Sequence, residues 1–273
     1  MNVPARGLNP RPAQMLWFLL ACAACPTATE PPDNEFVVEG FLYAGQPVDS
    51  ILITASKALG DTDTVATPIT NATVIVSKAG IDYQLASVGG GYYSYPGADL
   101  TVNAGDIFQL RATAGGLTAT AQTSVPYPPD SVTESSGVIT VSLTTSGFGG
   151  RRLTGDSIRI GWTNAAAQYY YVTLESLDSA AIQIATSTRF SGRFRLITQP
   201  TTSDYYEITP QQIRVLGNHV AKVYRVNKEY ADLYANRMQD SRDLNEPPTN
   251  ISGGLGIFTA FNLQRVYFTV VEP

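Results

Sequence analysis

Short segments rich in β-branched and aromatic residues recur along the chain with turn residues between them. Residues 72–77 alternate polar and apolar side chains strictly, which is typical of a half-buried strand. Ala79 and Gly80 follow directly and predict a tight hairpin turn. About seven such segments follow one another at roughly even spacing before Val125, a pattern typical of β-sandwiches. We therefore predict an all-β sandwich domain over residues 35–126.

A proline-rich segment divides the chain. Three prolines within residues 126–129 disfavour a helix and predict an extended linker at 127–131. Beyond it, residues 157–163 alternate with Trp162 on the apolar face, and a tyrosine-rich strand follows. A tryptophan-containing strand before a tyrosine-rich strand resembles a fibronectin type III-like sandwich. The second β-sandwich domain is predicted over residues 132–273.

One segment of this second half departs from the strand pattern. Apolar residues recur at steps of three and four from Tyr230 onward, and no glycine or proline interrupts them. Asn227 is a suitable N-cap, and Glu229 lies in the first turn. We predict one amphipathic helix near 228–242 that covers an edge or an end of the second sandwich.

The N-terminal residues read as an export signal. Residues 15–25 are short and apolar, and they follow Arg6 and Arg11 with no acidic residue before them. A membrane-spanning helix needs about 20 apolar residues, so this segment is too short to cross a bilayer. The sequence predicts a lipoprotein signal peptide at residues 1–21 and a spacer at 22–34.

Both cysteines of the chain lie in this segment. Leu19, Leu20 and Ala21 precede Cys22, and this order resembles a bacterial lipobox, in which the cysteine carries the lipid. Cys25 is the alternative acceptor. Ordinary secretory cleavage nearby, or a buried cysteine pair, remains the other interpretation. Acyl chains anchor a protein through about 0.8 kcal/mol per buried CH₂.

The composition excludes several function classes. The formal net charge is −5, which argues against nucleic-acid binding because that function needs a basic surface. His219 is the only histidine, and no thiol occurs after the signal. No nucleophile, phosphate-loop or zinc-protease motif occurs. We expect a protein that is not an enzyme and has no metal or cofactor; a carboxylate-dependent hydrolase remains an alternative.

The stretch at residues 250–258 combines glycines with apolar residues, so its backbone can approach another surface closely. It either packs against its own sandwich or contacts a partner. A glycine-rich, basic loop predicted at residues 147–155 is a second possible contact surface. The candidate partner-contact residues are Asn250, Gly253, Gly254, Gly256 and Phe258.

Tyrosines are a further candidate for recognition. Residues 89–95 and 169–171 hold six of the 15 tyrosines. Tyrosine supplies rigid, amphipathic contact area at interfaces. Cross-strand packing within the sheets is the simpler interpretation for most of them.

Two stretches carry a family resemblance. Residues 36–42 with residues 69–74 and Gly91-Tyr92-Tyr93, and then residues 246–258, resemble a large lipoprotein family of Bacteroidota known only as a domain of unknown function. The resemblance runs from about residue 35 to the end. Transthyretin-like and carboxypeptidase-regulatory modules share the first pattern, so a fold of that type is implied for the first domain. No catalytic residues are implied.

The same resemblance implies a location and a partner. The family is anchored by lipid in the outer membrane, facing either the periplasm or the cell surface, and is often encoded beside TonB-dependent transporters. We therefore expect a non-catalytic binding lipoprotein whose partner is an outer-membrane β-barrel transporter. A surface adhesin or a structural protein is the alternative.

Overall fold

The computed structural model describes residues 35–57, 65–145, 151–178, 182–184, 195–235 and 248–273. All of them belong to one compact unit, Asp33–Pro273. The predicted signal peptide and spacer, with Cys22 and Cys25, lie outside these residues. Within them, no helix is long and apolar enough to span a membrane.

The first half of the chain contains eight strands. They are β1 (Phe36–Tyr43), β2 (Ile51–Ala55), β3 (Thr67–Pro68), β4 (Thr73–Lys78), β5 (Ile81–Gly89), β6 (Tyr92–Ser94), β7 (Ile107–Ala114) and β8 (Leu117–Ser124). The predicted hairpin turn joins β4 to β5, with positive φ angles of 51° at Ala79 and 81° at Gly80.

The remaining strands and helices follow after the proline-rich segment. They are β9 (Asp130–Glu134), β10 (Val138–Thr145), β11 (Arg151–Gly155), β12 (Ile158–Thr163), β13 (Tyr169–Ser176), β14 (Arg195–Ile197), β15 (Tyr205–Ile208), a 3₁₀ helix (Pro210–Gln212), β16 (Gly217–Val226), α1 (Lys228–Ala235), β17 (Ile251–Ser252) and β18 (Gly254–Val271).

Within the described residues, fifteen strands form one hydrogen-bonded network. Its main path runs in the order β14-β13-β16-β18-β1-β2-β6-β5-β4-β7-β8-β17, and β15-β12-β9 form a separate three-stranded sheet. Strand β18 lies fourth in this path, between β16 and β1. Residues 254–261 pair in parallel with β1, and residues 261–270 pair antiparallel with β16.

One face of β18 contributes to two hydrophobic cores. Near its start, Phe258 and Ala260 pack in a core formed mainly by β1, β2, β4, β7 and β8. Near its end, Val266 and Phe268 pack in a second core with β10, β12, β13 and β16. Between the two pairs, the Asn262 side chain donates a hydrogen bond to the Pro126 carbonyl at 2.9 Å. The last strand therefore belongs to both halves of the protein.

The all-β sandwich class with one helix is confirmed. Helix α1 begins at Lys228 as predicted, and the predicted residues after Ala235 lie outside the described part of the chain. Division into two domains at the proline-rich segment stays a prediction. The described strands that flank this segment, β8 and β9, end at Ser124 and begin at Asp130.

Two predictions about local structure are corrected. The basic loop predicted at residues 147–155 is a strand over its second part, because residues 151–155 pair with β10; the first part lies outside the described residues. The β-branched and aromatic residues at 266–271 predict a final strand there, but that strand begins at Gly254. Its glycine-rich start resembles a turn locally, and only pairing with β1 makes it a strand.

Candidate ligand-binding groove

The outer face of the sheet formed by β4, β7, β8 and β17 is polar. In β7, Phe108, Leu110 and Ala112 face the first core, so the alternate residues Gln109 and Arg111 point to solvent. The register places Gln109 opposite Gln122 and Arg111 opposite Thr120 on β8. Strand pairing thereby brings together polar side chains that are distant in sequence.

A groove of about 430 Å³ lies on this face. Leu110 and Ala121 are the apolar residues that line it. Its polar lining comes from four strands and the residue before β17: Ser77, Gln109, Arg111, Thr120, Gln122, Asn250 and Ser252.

The groove carries little net charge. Arg111 is the only charged residue among the described residues of the lining, and the carboxylate of Asp82 lies 3.5 Å from its guanidinium. The Ser77 hydroxyl donates a hydrogen bond to the same carboxylate group. Both members of the ion pair are more than half exposed, so solvent weakens their attraction. The pair neutralises the charge of Arg111 in the groove and adds little to the stability of the fold.

Two glutamine amides meet at the centre of the groove. Nε2 of Gln109 lies 3.3 Å from Oε1 of Gln122 and donates a hydrogen bond to it. A primary amide has two N–H donors and a carbonyl that accepts two hydrogen bonds. One shared bond therefore leaves the second amide group and the other carbonyl free to bind a ligand.

The predicted partner-contact stretch borders this groove. Asn250 lines it, but the side chain also fixes the backbone of Phe258: it donates to the carbonyl at 2.7 Å and accepts from the N–H at 2.9 Å. The Phe258 side chain is fully buried, so it packs in the core and is not available to a partner. For this residue the alternative interpretation, packing within its own sandwich, is correct.

The three glycines are also engaged inside the protein. Gly256 has a φ of 104°, and a Cβ there would overlap the carbonyl oxygen of Val38. A Cβ at Gly254 would lie 2.7 Å from the carbonyl oxygen of Phe36, and one at Gly253 would overlap the Thr118 carbonyl. Their role is the close approach of two backbones. Partner contact by Asn250, Gly253, Gly254 and Gly256 stays a prediction.

The edge of the sheet beside the groove is occupied. Strand β17 pairs with β8 at Thr120 and Ala121. Further along β8, the Asn227 side chain donates to the Thr123 hydroxyl at 3.0 Å and to the Ser124 carbonyl at 2.8 Å. The groove is therefore open across its face, while its nearest backbone edge is covered.

Hydrogen bonds to Glu229 connect helix α1 to β8 and to β18. One carboxylate oxygen of Glu229 accepts hydrogen bonds from the Thr123 and Thr259 hydroxyls, each at 3.2 Å. Thr259 is fully buried and Thr123 nearly so. Buried hydroxyls require partners, so this carboxylate links β8, α1 and β18.

The tyrosines at 169–171 divide between two environments. Tyr170 packs against Trp162 in the second core, with ring centroids 5.3 Å apart. Tyr171 faces the other side of the sheet, where its ring stacks on Tyr224 at 4.6 Å, and burial raises its pKa. From α1, Tyr230 packs edge-on against Phe261, with centroids 4.8 Å apart. Cross-strand packing accounts for these tyrosines.

The tyrosines at 89–95 also have different roles. The Tyr93 hydroxyl donates to the Ile69 carbonyl at 2.9 Å and accepts from the Ala72 N–H at 2.8 Å. Tyr95 donates to Asp99 at 2.7 Å, and Tyr92 is about half exposed. Tyr92 is therefore the most exposed of the three.

His219 is structural. It is fully buried, stacks on Phe268 with ring centroids 5.4 Å apart, and places Nδ1 2.9 Å from the Gly217 carbonyl. Burial lowers its pKa, because desolvation penalises the charged ring. No group of three or more metal-ligating side chains occurs among the described residues.

Sequence reasoning missed the groove. Gln109 and Gln122 occupy ordinary solvent-facing positions of alternating strands, and nothing local distinguishes them. The available signal was the hairpin itself: Gly115 and Gly116 predict a turn that sets both glutamines at the same distance from it.

Comparisons place the chain among known proteins. A family model described as "Domain of unknown function (DUF4249)" matches residues 25–265. No curated protein matches.

Two solved structures match most of the chain at low sequence identity. The FN1–FN3 domains of chicken CNTN1 are 11% identical, with a TM-score of 0.28, and the match covers 86% of this chain and 67% of that one. Domains A168–A170 of titin are 13% identical, with a TM-score of 0.20, and the match covers 87% and 66%.

Proposed function

The chain belongs to the DUF4249 family, whose function is unknown, and from that premise we propose that it is a non-catalytic binding protein anchored in the outer membrane. The observation that carries the binding role is the open, polar groove across β4, β7, β8 and β17. Among the described residues that line it there is no carboxylate, so this part of the groove does not show the pair of acidic side chains that a carboxylate-dependent hydrolase requires.

The anchor is proposed from the N-terminal sequence. Cys22 is the acceptor that the lipobox-like residues favour, and Cys25 is the alternative. From Cys25 to the first strand, the chain is ten or so residues long, and an extended chain covers about 3.3–3.6 Å per residue. The folded unit would therefore be held within a few tens of ångströms of the membrane surface.

Lipidation is tested by metabolic labelling with an alkyne-tagged palmitate. The wild-type protein should be labelled, and Cys22→Ala should lose the label if this cysteine is the acceptor. A Cys25→Ala variant is the matched control for the alternative site. Unchanged labelling of the double variant would remove the anchor from the proposal.

The proposed partner is a TonB-dependent transporter. Support comes from the resemblance to outer-membrane lipoproteins and from the physical effect of tethering, because two proteins held in one membrane meet at high effective concentration. The groove would then hold a ligand near the transporter that takes it up.

Quantitative affinity purification from detergent-solubilised native membranes tests this partnership. An affinity-tagged wild-type chain should recover a β-barrel transporter, whereas the Cys22→Ala, Cys25→Ala variant should recover much less because it is no longer tethered. Recovery of no barrel protein with the lipidated chain would exclude the transporter role and favour an adhesin or a structural protein.

A further inference from the structure

We infer that the groove binds an uncharged, hydroxyl-rich ligand such as a neutral oligosaccharide. The ligand is bound through side chains rather than through the backbone. The inference rests on the proposed binding function and specifies the ligand class. Three properties of the groove lead to it: its charge balance, its paired donors and acceptors, and its covered backbone edge.

The charge balance disfavours ionic ligands. In the part of the lining that the structure describes, the guanidinium of Arg111 is the only charge, and Asp82 lies 3.5 Å away. A nearby second cation, Lys78, is held by Asp106 and by the Thr101 carbonyl at 2.7 Å. An anionic ligand would have to displace Asp82, and a cationic one would meet Arg111. A neutral ligand leaves the ion pair intact.

The hydrogen-bonding groups suit hydroxyls. A hydroxyl both donates and accepts, so it is best bound where a donor and an acceptor lie side by side. Gln109 and Gln122 provide this arrangement, because their single 3.3 Å contact leaves one carbonyl and one amide group available. Thr120 and Ser252 add hydroxyls that perform either role on the same wall, where they lie opposite each other in the β8–β17 pair.

The covered edge disfavours a peptide added as an extra strand. Strand addition needs a free row of backbone N–H and C=O groups. Beside the groove, Thr120 and Ala121 are already paired with β17, and the Ser124 carbonyl is bound by Asn227. A ligand in the groove therefore contacts mainly side chains.

None of the described lining residues is aromatic, so they offer the ligand no stacking energy. Binding should therefore be weak, with a dissociation constant on the order of millimolar, as a few solvent-competed hydrogen bonds allow.

The experiment is ligand-observed NMR on the full chain, purified in detergent, with a panel of defined compounds. The neutral set contains gluco-, xylo- and manno-oligosaccharide hexamers. The charged counterpart is an oligogalacturonate hexamer, and the peptide counterpart is an uncharged Ser/Gln decapeptide. Each compound is measured at low and at 0.5 M salt.

The variant pair is chosen to separate recognition from folding. Gln109→Ala, Gln122→Ala removes the amide pair, and Gln84→Ala removes the same side chain from an exposed position on neighbouring β5 outside the lining. Circular dichroism and urea unfolding establish that all variants are folded. We expect a neutral hexamer to bind the double variant about tenfold more weakly than wild type and to bind Gln84→Ala with unchanged affinity. Its affinity should not depend on salt.

Three results would overturn the inference: tighter or salt-dependent binding of the oligogalacturonate, preferential binding of the peptide, or no binding of any compound. Recovery of a transporter in the purification does not depend on any of these results. A negative ligand panel with a positive purification therefore rejects the ligand class alone.

Discussion

The side chain of Asn250 acts as a strand partner for Phe258. It donates to the Phe258 carbonyl and accepts from the Phe258 N–H, at 2.7 and 2.9 Å. Both backbone groups belong to a residue whose side chain is fully buried. An amide carries its donor and its acceptor on two separate atoms, so it can pair with both backbone groups at once.

Asn250→Ala should therefore lower the free energy of unfolding by about 1–3 kcal/mol, because two backbone groups lose their partner. Asn250→Asp should have a smaller effect, since a carboxylate still accepts from the Phe258 N–H. Urea unfolding measures both. Ser252→Ala, at an exposed neighbouring position, is the control and should stay within about 0.5 kcal/mol of wild type; an equal loss in the control would contradict this role of Asn250.

Glycine is required at position 256. Gly256→Ala introduces a Cβ into the carbonyl oxygen of Val38 at a φ of 104°, and we expect it to cost at least about 2 kcal/mol. Gly137→Ala is the matched substitution, because a Cβ there meets nothing within 4 Å. It should be neutral or stabilising by up to about 1 kcal/mol. Thermal unfolding compares the two variants: Gly256→Ala should lower the Tm, and Gly137→Ala should leave it unchanged or raise it. Similar shifts in Tm would refute the requirement for glycine at position 256.

Glu229 should matter more to stability than its neighbour on the same helix. Glu229→Ala leaves the buried Thr123 and Thr259 hydroxyls without their common acceptor, at a cost of about 1–3 kcal/mol. Asp232→Ala removes only an exposed pair with Lys228, which solvent screens, so its effect on stability should be much smaller. Chemical denaturation compares the two variants. An equal loss of stability in Asp232→Ala would contradict the role assigned to the Glu229 contacts.

His219 predicts a specific pH dependence. Burial lowers its pKa in the folded state below the unfolded value of about 6.5. The unfolded chain then binds a proton more readily as the pH falls below about 6.5, so stability is present above that pH and declines below it. Denaturant unfolding of wild type should show this loss between pH 7 and about pH 5.5.

His219→Phe is the test, since the ring is kept and the titration removed. Because His219 is the only histidine, the variant should have a much flatter stability profile over the same pH range. Its absolute stability is irrelevant to the comparison. An unchanged slope would show that other groups cause the pH dependence.

Local patterns in the sequence predicted the elements whose own residues alternate. Strand β4 and its turn at Ala79 and Gly80 were predicted within one residue, because a half-buried strand and a tight turn are locally encoded. The start of β18 was missed because Gly254 and Gly256 are locally turn-like. These glycines are needed because this segment pairs with β1, which lies more than 200 positions away in the chain.

The groove was missed for a related reason. Asn250 was selected for its glycine-rich surroundings, whereas Gln109 and Gln122 were not singled out at all. Each glutamine is an ordinary polar residue within its strand. The pairing of β7, β8 and β17 places them beside Ser252, and a register of this kind depends on contacts along the whole sheet.

The position of β18 determines the order in which the protein can fold. Every other described strand precedes β18 in the sequence, and this strand completes both hydrophobic cores. Neither core can be completed before β18 has been synthesised, so the last steps of folding follow its synthesis. Contacts between β1 and β18 join residues more than 200 positions apart, and such contacts slow folding. Late folding of this kind suits the export that the N-terminal residues predict.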